Sequence, residues 1–187
     1  SLTISQDLNV AENFSHADAV TAAGTPTITV AEDWQDIGGT FTPGNSTVIM
    51  STASGTNDID ISSGSFYNLE IDAAGANYLI YNYLNVDNNL TITNGTLDLN
   101  GNDLDIAGGL TISGGTLNIG ASLITFDGSS GTHLIDAPGT VFPNILFNSP
   151  TGNATYRLNN NLSISNDITI TDGALELSPD NGTTNYA

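Results

Sequence analysis

The chain repeats itself, and that constrains it more than any single motif. Gly38-Gly39-Thr40-Phe41 aligns with Gly114-Gly115-Thr116-Leu117 at a shift of 76 residues. The same shift carries Val48 onto Ile124, Met50 onto Phe126, Gly55-Thr56 onto Gly131-Thr132, Ile59-Asp60 onto Ile135-Asp136, and Phe66 and Asn68 onto Phe142 and Asn144. Past Ser149 to Asn153 the second copy gains two residues, and Leu90-Thr91-Ile92-Thr93-Asn94-Gly95 aligns with Ile168-Thr169-Ile170-Thr171-Asp172-Gly173. The start repeats the phase again, with Leu2 to Val10 matching Leu162 to Ile170. A period of about 77 residues marks stacked structural units. We divide the chain into a partial repeat at 1–27 (a possible N-terminal cap or exchange segment), repeat 1 at 28–103, repeat 2 at 104–181 and a tail at 182–187, all one domain.

Inside each unit the apolar residues alternate in short runs broken by Gly or Asn, as in Leu84-Asn85-Val86, Leu90-Thr91-Ile92, Leu104-Asp105-Ile106 and Leu110-Thr111-Ile112. Period-2 alternation over three to five residues predicts short strands with tight corners. No window carries the i, i+3, i+4, i+7 apolar spacing of a helix; only Asn13 to Gly24 leaves room for a helical turn that could serve as a cap. The expected fold is therefore all-β, a parallel β-solenoid. At ~20–25 residues per coil it has about eight coils, each rising ~4.8 Å, to roughly 40 Å in all. Asn68 and Asn144 occupy one corner phase, where stacked amides could form a ladder.

The strings Gly39-Thr40-Phe41-Thr42-Pro43-Gly44-Asn45-Ser46-Thr47-Val48, Phe66-Tyr67-Asn68-Leu69 and Leu90 to Gly101 resemble the tandem modules of very large prokaryotic cell-surface and extracellular proteins. The resemblance covers the chain from about Thr27 onward and implies a β-helical, adhesin-like stalk module outside the cell; it brings no catalytic residues. The second copy departs from it at Phe142-Pro143-Asn144, where Pro143 predicts an unpaired strand edge.

Charge narrows the partners. Twenty acidic residues face one basic residue, Arg157, for a net charge of −19. Such a chain offers no phosphate-neutralising surface for nucleic acid or anionic lipid. No apolar stretch reaches the length of a membrane span. Enzyme chemistry finds little purchase, and we expect none. There is no Cys, and His16 and His133 stand apart without an HExxH pattern, reading as surface residues. No Gly-x-Ser-x-Gly elbow occurs, and Arg157 alone cannot clamp a uronate.

Three features point to binding or assembly. Asp98, Asp103 and Asp105 form an Asp/Asn-rich run whose spacing suggests calcium, although an EF-hand would need Gly at Asp103 and an acid at Gly109. Seven Asn-x-Ser/Thr sequons, at Asn13, Asn45, Asn89, Asn94, Asn153, Asn161 and Asn181, are candidate glycosylation sites in an N-glycosylating host. Alternation outward from Ile80, Leu84 and Val86 puts Leu79, Tyr81 and Tyr83 on an outer face, where the second copy carries Arg157, Asn159 and Asn161. That patch could meet another subunit or stack on sugar rings.

A solenoid without caps presents unpaired strand edges at its ends. The expected polymer contacts are Leu2, Ile4, Leu8 and Val10 at one end and Leu175 and Leu177 at the other. The leading expectation is a secreted structural subunit assembling head to tail into an extracellular filament or sheath. The alternative is a stalk or adhesin-type module of a larger cell-surface protein that recognises glycan or protein.

Overall fold

A computed structural model describes residues 1–62 and 64–177. All of its strand pairs are parallel, and no helix occurs among the described residues. The chain winds as a three-faced β-solenoid of about eight turns. Leu84 pairs with Leu104 and Leu104 with Ile124, so one circuit in the middle of the stack takes twenty residues.

The first face carries β1 (Leu2–Ile4), the second β2 (Leu8–Val10) and the third β3 (Phe14–His16). The next circuits place β4 (Ala19–Ala22), β5 (Thr27–Val30) and β6 (Trp34–Asp36), then β7 (Thr40–Thr42), β8 (Thr47–Met50) and β9 (Gly55–Asp60), on those faces in the same order. Longer strands then bend around a corner: β10 (Asn68–Ile80) and β12 (Leu90–Asp98) each cover the second and third faces, with β11 (Leu84–Val86) on the first. Above them lie β13 (Leu104–Ile106), β14 (Leu110–Ile112) and β15 (Thr116–Asn118). The stack closes with β16 (Leu123–Phe126), β17 (Ser130–Asp136), β18 (Val141–Asn148), β19 (Asn153–Leu158), β20 (Ser163–Asp172) and β21 (Ala174–Glu176).

The pairings show how the repeat maps onto the coil. Strands β5, β8 and the first half of β10 lie on the second face, but their counterparts β13, β16 and β18 lie on the first, in one sheet with β11. Likewise β6 and β9 share the third face, whereas β14 and β17 lie on the second. One repeat contains eleven strand positions, or three and two-thirds circuits, so the second copy is turned a third of a circle from the first.

Alternation turns one side of each strand inward, and through the middle of the stack that side is buried. Ile80, Leu84 and Val86 are fully buried, as their phase predicts. Rings fill the lower core, where Trp34 lies 4.5 Å from Phe14, 4.8 Å from Phe41 and 5.1 Å from Phe66 between centroids. Gly95 shows why a corner needs glycine. Its φ is +81°, and a Cβ there would sit 2.3 Å from the Ala73 carbonyl oxygen.

Three expectations need correction. Asn13 to Gly24 holds β3 and β4 and not a helical turn, because Phe14, His16, Val20 and Ala22 alternate inward. Pro143 does not leave an edge unpaired. Strand β18 passes through it, pairing with β16 from Asn144 onward and with β20 across a register shift between Phe142 and Asn144, which absorbs the missing N–H. His16 is not a surface residue: its Nδ1 lies 3.0 Å from the Asp18 carbonyl oxygen and its Nε2 against the buried Asp36 carboxylate.

Candidate functional site

The outside of the coil is stitched by one recurring contact. A corner Asp or Asn side chain accepts a hydrogen bond from a main-chain N–H one circuit later: Asp7 from Thr27, Asn13 from Asp33, Asn89 from Gly109 and Asp103 from Leu123, at 2.8 to 3.0 Å. This satisfies amides at corners, where the ladder is interrupted. Asn68 joins the scheme by accepting from the Asn88 side chain and the Asn89 amide. The amide contact is thus between Asn68 and Asn88 on neighbouring coils. Asn144 instead pairs with Leu123 and Asp167, so it does not stack on Asn68.

The acidic run is divided by this geometry. Asp98 lies on β12, where it accepts from the Asn100 amide and the Asn118 side chain. Asp103 and Asp105 belong to the next turn of chain on the first face, with Asp105 accepting from the Tyr83 hydroxyl. The three carboxylates do not converge. Among the described residues no group of three or more His, Asp or Glu is placed to hold a metal ion.

The sequons differ in how they are engaged. Asn13 and Asn89 accept main-chain amides and Asn94 donates to Asp72, whereas Asn45, Asn153 and Asn161 are exposed. Thr47, the hydroxyl residue of the Asn45 sequon, is half-buried and accepts from the Asn68 side chain. Asn181 lies outside the described residues.

Tyr81 and Tyr83 are exposed, and Leu79 is half-buried between Asp58 and Asp98 on its neighbouring strands. Tyr83 is tied to Asp105; burial, then that bond and the nearby carboxylates, push its hydroxyl well above the ordinary tyrosine range. Tyr81 faces a different neighbourhood. It lines a cleft of about 240 Å³ with Gln35, Asp36, Ile37, Asp58 and Asp60. Partial burial, with Asp33 and Asp60 close by, raises the Asp58 carboxyl above its usual value. Ile37 did not emerge from the sequence as a site residue. The gapless alignment carries the signal, since the same position in the second copy is Ser113.

The two ends of the stack complete the picture. At the C-terminal end Ile168 and Ile170 pair with Ile145 and Phe147 and so point inward. Ile145 and Phe147 are at most 1% exposed, yet Ile168 and Ile170 are 46% and 49% exposed. With Leu158, Leu162, Ile164 and Leu177 they line an open concavity of about 620 Å³. Leu175 is half-buried against Tyr156, and Arg157 Nε donates to Glu176 at 2.9 Å, fastening β21. At the other end Ile4 is buried, Leu8 and Val10 are half-buried and Leu2 is exposed. Among the described residues β1, β2 and β3 each have a strand partner on one side only.

Compared with known proteins, the chain matches no family, no curated protein and no solved structure.

Proposed function

We propose that this protein is a structural subunit of an extracellular filament or sheath, in which copies stack head to tail by strand addition. One observation carries the reading: Ile168 and Ile170 occupy inward positions that a further coil would bury, and they stand half exposed. Asp167 supports it. Its counterparts Asp7 and Asn89 each accept an amide from the coil above, and Asp167 sits at that phase in the last circuit among the described residues. A parallel strand laid on β20 and β21 would bury the apolar mouth and fill that acceptor. Heterologous end-to-end contact of this kind generates an open polymer. The placement outside the cell rests on the resemblance of the strings from Gly39 to Gly101 to prokaryotic surface modules.

The test is electron microscopy of the purified chain over a concentration series, beside Ile168→Asp. Filaments that the substitution abolishes support the proposal. Dispersed short rods at high concentration overturn it and favour a second reading, a stalk module that binds glycan or protein. The observation behind that second reading is the exposure of Tyr81 and Tyr83.

A further inference from the structure

We propose that the cleft between Ile37 and Tyr81 is a binding site for one neutral sugar ring. Three successive circuits build it. Gln35 pairs with Asp60, and the Tyr81 amide bonds to the Ile59 carbonyl, so Gln35, Asp60 and Tyr81 rise one above another on the outer side of the third face. Ile37 and Tyr81, 62% and 59% exposed, are the apolar walls. The carboxylates of Asp58 and Asp60 supply the polar groups between them, Asp60 already accepting from Asn82 through Oδ1, while Ser15 and Asp33 hold the Gln35 amide in place.

This combination suits a pyranose. The C–H face of a sugar packs on an aromatic ring, and its hydroxyls donate to carboxylates. About 240 Å³ is below the ~300–1,000 Å³ typical of drug-sized ligands, so the cleft holds a single ring. The carboxylates repel an anionic sugar and so exclude uronates.

The second copy acts as an internal control. Buried residues are retained between copies, Ile59 with Ile135, Tyr78 with Tyr156 and Ile80 with Leu158. The cleft residues Gln35, Ile37, Asp58 and Tyr81 are replaced by Thr111, Ser113, Leu134 and Asn159. The scaffold therefore accepts Asn at the Tyr81 position, and nothing in coil packing requires an exposed tyrosine there. The site is independent of end-to-end assembly and serves a filament or a stalk equally.

The test is titration of the full chain, followed by amide chemical shifts, with the methyl glycosides of glucose, galactose and mannose, the methyl glucuronide and propylammonium. At least one neutral glycoside is expected to shift the Ile37, Asp60 and Tyr81 amides saturably, with a dissociation constant on the order of 1–10 mM. Tyr81→Asn and Ile37→Ser, the residues of the second copy, should each weaken it at least about tenfold without moving the melting temperature, and the glucuronide should not bind. Absence of saturable binding by every neutral glycoside, equal binding by the variants, or saturation by propylammonium alone overturns the proposal. Filament images of Tyr81→Asn, expected to match those of the unaltered chain, keep this test separate from that of assembly.

Discussion

The Tyr78 hydroxyl donates to the carbonyl of Ala31, 47 residues earlier, at 2.9 Å, and Tyr156 makes the same bond to Ala107, 49 residues earlier, at 3.3 Å. Each oxygen also accepts a main-chain N–H from the circuit between, Thr52 for Tyr78 and Gly128 for Tyr156. One buried phenol thus braces three coils in each copy. Tyr78→Phe should lower the unfolding free energy by about 1–3 kcal/mol, because it strips a partner from two main-chain groups near the core. Urea denaturation measures this, and a loss below ~0.5 kcal/mol would show that the bonds contribute nothing water cannot replace.

The same phenols give the fold an alkaline limit. Burial, the largest cause, pushes Tyr156 up to about 12, and it raises Tyr78 as well, with the Thr52 amide acting the other way. A group raised on folding keeps its proton in the folded state after the unfolded chain has released it. Its contribution is complete below the ordinary tyrosine value of 10 and is lost as pH climbs through about 12. Stability should therefore fall between these values, and Tyr156→Phe should flatten that slope in chemical denaturation at stepped pH.

Acid should act in the opposite sense. Burial first, then neighbouring carboxylates, raise Asp58 and Asp127 above 3.8. For a raised carboxyl the stabilising contribution is complete below that value and disappears as pH rises past the folded one. Cooling of charge repulsion by mild acid should accordingly raise the melting temperature from pH 7 toward pH ~4.5. A monotonic fall over that interval in thermal scans would contradict it.

Much of this architecture is legible in the sequence, because alternation with period 2 specifies inward residues directly: Ile80, Leu84 and Val86 are buried as expected. What escaped depends on which coils become neighbours. The one-third turn between copies follows from eleven strand positions per repeat on a three-faced coil, a count that residue number alone does not give, and the face of β13 is visible only in its pairing with β11. His16 has the composition of a surface residue, and only its phase with Phe14 turns it inward onto Asp36. The Asp98 to Asp105 run looked like one cluster because sequence proximity hides a corner: Asn100, at φ 51°, turns the chain between Asp98 and Asp103. Ile37 and Tyr81 meet across two circuits, a distance that no local pattern reports.

Assembly should depend on salt. Among the described residues the last circuit presents Asp167 and Asp172 beside the Arg157–Glu176 pair, and the first presents Asp7 and Glu12 beside Asp18 paired with the Ser1 ammonium, so two net acidic ends must approach. At ~0.01 M salt the Debye length of ~30 Å leaves this repulsion active, whereas at ~1 M it shrinks to ~3 Å. Light scattering should show assembly promoted by sodium chloride. An assembly weakened by salt would place attraction between charges, and not burial of Ile168 and Ile170, at the junction.

Asp103 separates a structural carboxylate from a metal ligand. Its Oδ1 accepts the Leu123 amide at 2.8 Å, the contact that Asn89 makes with Gly109. Either an amide or a carboxylate oxygen can fill that role, as the alternation of Asp7 and Asn89 at one phase shows. Asp103→Asn should therefore leave stability within about 0.5 kcal/mol of the parent, while Asp103→Ala, which leaves the amide without its acceptor, should cost about 1–2 kcal/mol. Both differences should be the same in calcium and in chelator. A calcium-dependent melting temperature that Asp103→Asn removes would instead assign this carboxylate to a bound ion.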